Sequence, residues 1–428
     1  MKSRAMIFPI AAFLLLLVSV GAAQHQQSKN QPPQYTVVDL GTGLGGNGAI
    51  GMSINSRGWV GGYANVASNT SAHAVQWRNG WAIDLGTLGG PNSALYGTNS
   101  GFAETDNSDP LGQDFCAYGD YLICLPFILK GNSLVALPTL GGNSAVAYLN
   151  NDFGKAVGVS TTSTFDPSCL IDGQPQPPFY LYQGYLPAVW ENGRVNTVPL
   201  LSGDSAGEAD GINDLGEIVG YSGDCLNDSI HSWLWRNGKA VNLGSLGGVL
   251  GSAAYGINNL GQVTGASDLA GDQTSDTFLW TEDKGMQDLG TLPGDYYSGG
   301  YAINDWGQIV GYSCDINNNC RPFLWQNGSM TDLNTLIPPN SNLYLLYAST
   351  INDQGEIVGY GYDQTAGNYH AFLAVASRDG EANGTAASAA PVSTAVRLPD
   401  NARTALQPRL MRGHLRGPRA PGAFAATH

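Results

Sequence analysis

The sequence predicts an all-β fold built from repeats, on three observations. Three short phrases recur in fixed order, seven times each, with a period of about 45 residues. Turn signals, Asn-Asp-x-Gly or Asn-Gly, fall about every ten residues between short runs rich in Ile, Val, Tyr and Trp. Composition agrees: 58 Gly and 20 Tyr stand in a chain that is only 12% charged, which argues against coiled coils and long helical bundles.

The first phrase, Ile-Asn-Asp-x-Gly-x-Ile-Val-Gly-Tyr, is clearest at 303–312 and 351–360. Its Asn falls at Asn55, Asn99, Asn151, Asn213, Asn258, Asn304 and Asn352. The second, at 321–328, runs through Phe-Leu-Trp into an Asn-Gly turn. The third, at 84–90, reads Asp-Leu-Gly-Thr-Leu-Gly-Gly. Copies two and three are degenerate, and copy two lacks a residue of its Asn turn. Each unit reads as four strands; in the sixth these are 300–304, 308–312, 321–325 and 330–333. Four strands per repeat of this length match one propeller blade, so a seven-bladed β-propeller is predicted, with an open solenoid as competitor. The last unit stops after its third strand, whereas the phrase that supplies a fourth strand first occurs at 36–40. The N-terminal strand is therefore predicted to complete the last blade and remove exposed sheet edges.

Four segments follow. Residues 1–23 read as a cleaved secretory signal: Lys2 and Arg4, an apolar stretch to Val20, then Gly21-Ala22-Ala23. Residues 24–34 are a linker, 35–376 the propeller, and 377–428 an Ala/Pro/Arg-containing tail without periodicity, expected to be disordered. The expected location is extracellular or periplasmic. Six cysteines suit that location, and loop geometry suggests Cys116/Cys124 and Cys314/Cys320, leaving Cys169/Cys225. Between signal and tail, ten basic side chains face 31 acidic ones, for a net charge near −21. Such a surface repels phosphate backbones, so nucleic acid is excluded as a partner.

His73-Ala74-Val75, His370-Ala371-Phe372 and Arg321-Pro322-Phe323-Leu324-Trp325, together with the Asn-Asp-x-Gly and Asp-Leu-Gly-Thr-Leu-Gly-Gly phrases, resemble the signature of the HAF family of extracellular bacterial repeat proteins. The resemblance covers residues 35–376 and implies an exported repeat protein without an agreed activity. The second phrase departs from it in copies two and three, at Leu125-Pro126 and Leu186-Pro187.

In a four-stranded meander, alternate connections lie on the same face. One face therefore carries all the tight Asn turns and the other the longer loops, where binding residues are expected. Copies two and three carry inserts there, at 103–124 and 160–185. The candidate ligand residues are Tyr118 and Tyr121 in the first insert, Tyr180, Tyr182 and Tyr185 in the second, and Asp224 in copy four. Aromatic rings beside carboxylates suit the faces and hydroxyls of sugars. His73, His231 and His370 share one repeat position and are read as structural. No nucleophile elbow, phosphate loop or zinc spacing is present, and Asp315-x-Asn317-x-Asn319 breaks from a calcium loop at Cys320. No metal or other cofactor is expected. The reading is a monomeric binding scaffold for extracellular glycan or protein. A glycan-active hydrolase or lyase using carboxylates on the long-loop face is the alternative, and a purely structural surface protein a second one.

Overall fold

The computed structural model describes residues 32–166, 170–171, 174–175, 183–224 and 229–377. The described chain is all-β apart from one 3-10 turn at Leu333–Thr335. Its strands group into four-stranded antiparallel meanders. Unit 1 is Gly45–Ile54, Val60–Val66, Ala72–Arg78 and Trp81–Asp84; unit 2 is Gly89–Leu95, Ser100–Ser108, Leu122–Lys130 and Ser133–Ala136. Unit 3 is Gly141–Asn150, Ala156–Phe165, Gln183–Glu191 and Arg194–Thr197; unit 4 is Ala206–Ile212, Ile218–Gly223, Ile230–Arg236 and Lys239–Asn242. Unit 5 is Gly247–Ile257, Val263–Leu269, Ser275–Thr281 and Gly285–Asp288; unit 6 is Tyr297–Ile303, Ile309–Cys314, Cys320–Gln326 and Ser329–Asp332. Unit 7 takes Leu343–Ile351, Ile357–Asp363 and Asn368–Ala376, and its fourth strand is the N-terminal Tyr35–Gly41, antiparallel to the third with Tyr35 opposite Ala376.

The third strand of each unit contacts the first strand of the next, and that of unit 7 contacts the first strand of unit 1. From unit 3 through unit 7 to unit 1, successive first strands also touch one another, which makes the first strand innermost. This is a propeller-type arrangement, with the apolar core lying between neighbouring sheets. Trp77, Trp190 and Trp233 are fully buried there.

The repeated phrases can now be explained by their contacts. In the Asn-Asp-x-Gly turns, the Asn side-chain oxygen accepts from the backbone N–H groups two and four residues on; for Asn304 these are Trp306 at 3.1 Å and Gln308 at 2.9 Å. The Asn Nδ2 then donates to the backbone carbonyl of the same Asn in the next unit. The rungs run from Asn151 to Asn213, Asn258, Asn304 and Asn352. A parallel set joins each following N–H to the next unit's Asp or Asn carboxyl or amide oxygen. The turn phrase is thus a clasp between units as well as a hairpin. Asn79-Gly80, Asn192-Gly193, Asn237-Gly238 and Asn327-Gly328 all have both residues at positive φ, the tight hairpin form for which Asn-Gly is suited.

The Gly of Ile-Val-Gly-Tyr has a steric cause. It faces a register slip in the first strand, and a Cβ on Gly220 would sit 2.0 Å from the carbonyl oxygen of Glu208. Only a residue without Cβ allows the two backbones to approach so closely.

Strands in the degenerate copies run further than the sequence suggested. The second strand of unit 2 extends to Ser108 and that of unit 3 to Phe165. The connection in unit 2 is therefore 109–121 instead of 103–124. In unit 3 a small hairpin, Leu170–Ile171 with Gln174–Pro175, lies within the connection. Cys116–Cys124 and Cys314–Cys320 are bonded as expected. Cys169 and Cys225 lie outside the described residues, as do the signal segment and all of the tail beyond Ser377.

Candidate functional site

On the long-loop face a cleft of about 150 Å³ opens between units 1 and 2. Its walls are aromatic. Tyr63 comes from the second strand of unit 1, Phe102 from that of unit 2, Tyr96 from the residue after unit 2's first strand, and Tyr118 from the 109–121 connection. Tyr96 and Phe102 stand 5.3 Å apart between ring centroids, and Phe102 and Tyr118 6.5 Å. Polar groups from Asn65, Asn92 and Thr70 line the remainder.

Asn92 links this cleft to a buried acid. Its Oδ1 accepts from the Ala72 N–H at 3.0 Å, while its Nδ2 donates to Glu104 Oε2 at 2.7 Å and Asp120 Oδ2 at 3.4 Å. Glu104 is 1% exposed. Burial first, then its contact with Asp120 and the charge of Asp114, push its pKa up to about 8, against the lowering effect of the Asn92 amide. At neutral pH the Glu104 carboxyl is therefore mostly protonated. Asp114 and Asp109 hold the connection itself. Asp114 accepts from the N–H groups of Tyr118 and Gly119, and Asp109 from Leu111. The Cys116–Cys124 bond ties the same segment to the third strand, so Tyr118 projects from a braced loop.

Of the sequence candidates among the described residues, Tyr118 alone lines the cleft. Tyr121 is half-exposed with φ 59° and lies outside the cleft lining. Tyr185 is 2% exposed, within the third strand of unit 3, where it packs with Phe115, Val159 and Tyr148. Its expected role as an exposed ligand contact is corrected to packing, because the strand begins at Gln183 and carries it into the core. Asp224 is half-buried just past the second strand of unit 4, away from the cleft. Tyr180 and Tyr182 lie outside the described residues. The cleft lies between units 1 and 2, and of the inserts in copies two and three it draws on the first.

Two further polar groups are structural in geometry. His73 and His370 each place Nδ1 on the Asp of the fourth-strand phrase, Asp84 at 3.0 Å and Asp39 at 2.9 Å, while His231 reaches Asp204 at 3.3 Å. In unit 6 the same position holds Arg321, buried between Asp295 at 2.9 Å and Asp332 at 3.3 Å. In unit 5 it holds Asp276, whose pKa burial and then Asp288 push up to about 7. Among the described residues, Asp39, Asp363 and His370 form one group with ligand-capable atoms within 4.8 Å of one another. The hydrogen bond to Asp39 already accounts for the placement of His370. On the innermost strand of unit 4, Glu208 is fully buried and accepts from Tyr148 Oη at 2.8 Å. Burial and then the Asp210 charge raise its pKa well above its ordinary value. Among the described residues, no helix is long and apolar enough to cross a membrane.

No protein-family model matches the chain, and no curated protein matches it. Solved structures show a distant likeness. The β-propeller domain of the Trilobed protease from Pyrococcus furiosus is 12% identical, with 65% of this chain and 82% of that one covered and a TM-score of 0.42. A gluconolactonase from Xanthomonas campestris is 9% identical, covering 81% and 95%, with a TM-score of 0.34. The Aleuria aurantia lectin, solved with Fucα1-6GlcNAc, is 10% identical, covering 68% and 96%, with a TM-score of 0.32.

Proposed function

We propose that this chain is an exported, seven-bladed β-propeller of HAF-type repeats that binds an extracellular glycan in the cleft between units 1 and 2. The observation that carries the reading is the cleft itself: three tyrosines and a phenylalanine wall a space edged by Asn65, Asn92 and Thr70. Apolar ring faces with a few placed amides and hydroxyls suit the two sides of a pyranose. Seven units, the N-terminal strand on unit 7, and contact from unit 7 back to unit 1 support a closed ring. Two disulfides support an oxidising location.

A hydrolytic reading rests on Glu104 and Asp120. Glycosidases separate their two carboxyls by about 5–10 Å, to admit a nucleophile or a water. Here the pair is in hydrogen-bonding contact and Glu104 is covered, so binding is the better-supported function.

A glycan array on the full chain, followed by calorimetry on the best hit, tests the proposal. Tyr118→Ala should weaken that hit by at least about tenfold, the loss of one good aromatic contact, with the melt nearly unchanged. Tyr121→Ala should leave affinity alone. An empty array, or a Tyr118→Ala protein of full affinity, overturns the reading.

A further inference from the structure

The opposite face carries a feature that closure of the sheets does not use. The variable residue of Asn-Asp-x-Gly is a large apolar side chain in four successive units: Phe153, Leu215, Leu260 and Trp306. They are 80%, 71%, 69% and 76% exposed. The rungs between neighbouring turns set them side by side, and Trp306 Nε1 donates to the Asp353 carbonyl of the next unit at 2.9 Å. Together they form an apolar arc around the inner end of the tight-turn face. A row of this kind on an otherwise polar surface marks a docking site. Its surroundings are acidic. The Asn turns of units 3 to 7 contribute Asp152, Asp214, Glu217, Asp305, Asp353 and Glu356, and Glu282 and Asp283 lie beside Leu215 and Leu260; the bases there are Lys155, which reaches Glu191 at 3.6 Å, and Arg236, which is paired with Glu282 at 2.6 Å.

We propose that this arc is the docking site for the chain's own segment 409–416. Three facts choose the occupant. First, the third strand of unit 7 runs from the long-loop end to the tight-turn end, so the chain leaves at Ser377 on the face that carries the arc; the Ser377 N–H donates to Gln34 O there at 2.7 Å. Second, 51 residues follow Ser377. Between it and Arg409 lie 31 residues; a chain of that length has a reach of roughly 30 Å, enough to cross from unit 7 towards units 3–6. Third, the segment reads Arg-Leu-Met-Arg-Gly-His-Leu-Arg. Leu410, Met411 and Leu415 match the arc, and Arg409, Arg412 and Arg416 match its carboxylate rim. A second copy of the chain would instead bring one acidic rim against another.

Trypsin reads the docking directly, because Arg409, Arg412 and Arg416 are cleavage sites. In the full chain, cleavage there should be about tenfold slower than in Leu215→Asp/Leu260→Asp, a protection equivalent to about 1.4 kcal/mol. Arg397 and Arg403, outside the segment, should be cut at the same rate in both. Equal rates across 409–416 overturn the proposal. An otherwise wild-type chain carrying a photo-crosslinking side chain at position 411 gives the second measurement. Adducts should fall on the Asn turns of units 3–6 within the same molecule. Adducts on the long-loop face, or only between molecules, overturn it equally.

Discussion

Units 2 and 6 both bury carboxylates beside a disulfide-tied connection, and they neutralise them by different means. In unit 6, Arg321 lies between Asp295 and Asp332, so a fixed cation faces both carboxyl groups. In unit 2 the equivalent positions are Leu125 and Ala136, and no cation is among the groups that shift Glu104; burial and the nearby Asp120 and Asp114 push its pKa up, against the hydrogen bond from the Asn92 amide. An ion triad of the first kind serves packing. In unit 2 the raised acid stands instead behind an open aromatic cleft, where the proposed binding site lies.

The contrast predicts effects of different size and different pH dependence. Arg321→Met should be the most damaging, costing roughly 3–5 kcal/mol because it strands two buried carboxylates. Urea titration at pH 7 checks it, and a loss below 1 kcal/mol would mean that water reaches the triad. Glu104 works in the other direction. Its pKa is raised in the folded chain, so its contribution to stability is complete below the ordinary carboxylate value and fades as pH rises towards about 8. The isosteric Glu104→Gln should remove that slope, matching wild type near pH 4 and exceeding it by roughly 2–4 kcal/mol near pH 8, on the linkage of 1.36 kcal/mol per unit. Parallel pH-resolved melts decide it; identical slopes in the two proteins would rule out the raised Glu104 pKa.

Opening the disulfides sharpens the comparison. Each closes a short loop, so Cys116→Ser/Cys124→Ser and Cys314→Ser/Cys320→Ser should each cost roughly 2–3 kcal/mol. Only the first pair should also weaken glycan binding, since it alone braces Tyr118. Equal binding by both double variants would separate the cleft from its loop.

The smallest effect is expected at the His370–Asp39 clasp. The hydrogen bond to Asp39 raises the pKa of His370. Burial opposes the shift at Asp39, but the His370 and Gly41 hydrogen bonds hold it below its ordinary value. The stabilisation from His370 is full below the ordinary histidine value and is lost as pH rises through the raised one. That from Asp39 is present above the ordinary aspartate value and is lost as pH falls through the lowered one. His370→Ala should therefore lower the melting temperature by a few degrees between these limits and hardly at all near pH 9.

The fold was legible because its clasps are repeated words. Asn304 and its counterparts must cap one turn and reach the next unit, and Gly220 must yield to a carbonyl, so the same residues recur wherever the same geometry does. The cleft was not legible for the same reason. Tyr63 and Phe102 look like ordinary repeat tyrosine positions, and only the packing of unit 1 on unit 2 brings them to Tyr118. One signal was available. Three residues after the second-strand Gly, the seven units carry Asn65, Glu104, Thr161, Gly223, Asp268, Cys314 and Tyr362, all different. Two of these, Asn65 and Glu104, belong to the cleft or its floor. Tyr185 was misplaced because an aromatic run within a long insert reads the same whether or not a strand has already resumed.

The hydrogen bond from Ser377 to Gln34 has a consequence for how the chain could be rewired. The two ends of the folded body meet within one ladder, while the units are held to one another by contacts that do not depend on which of them comes first. A short linker from Ser377 to Gln34 would make the body a continuous loop of chain, and new ends could be cut in any connection outside the cleft. The order of the repeats along the chain is thus one of several that the same contacts between units would accept, and the seam lies within unit 7.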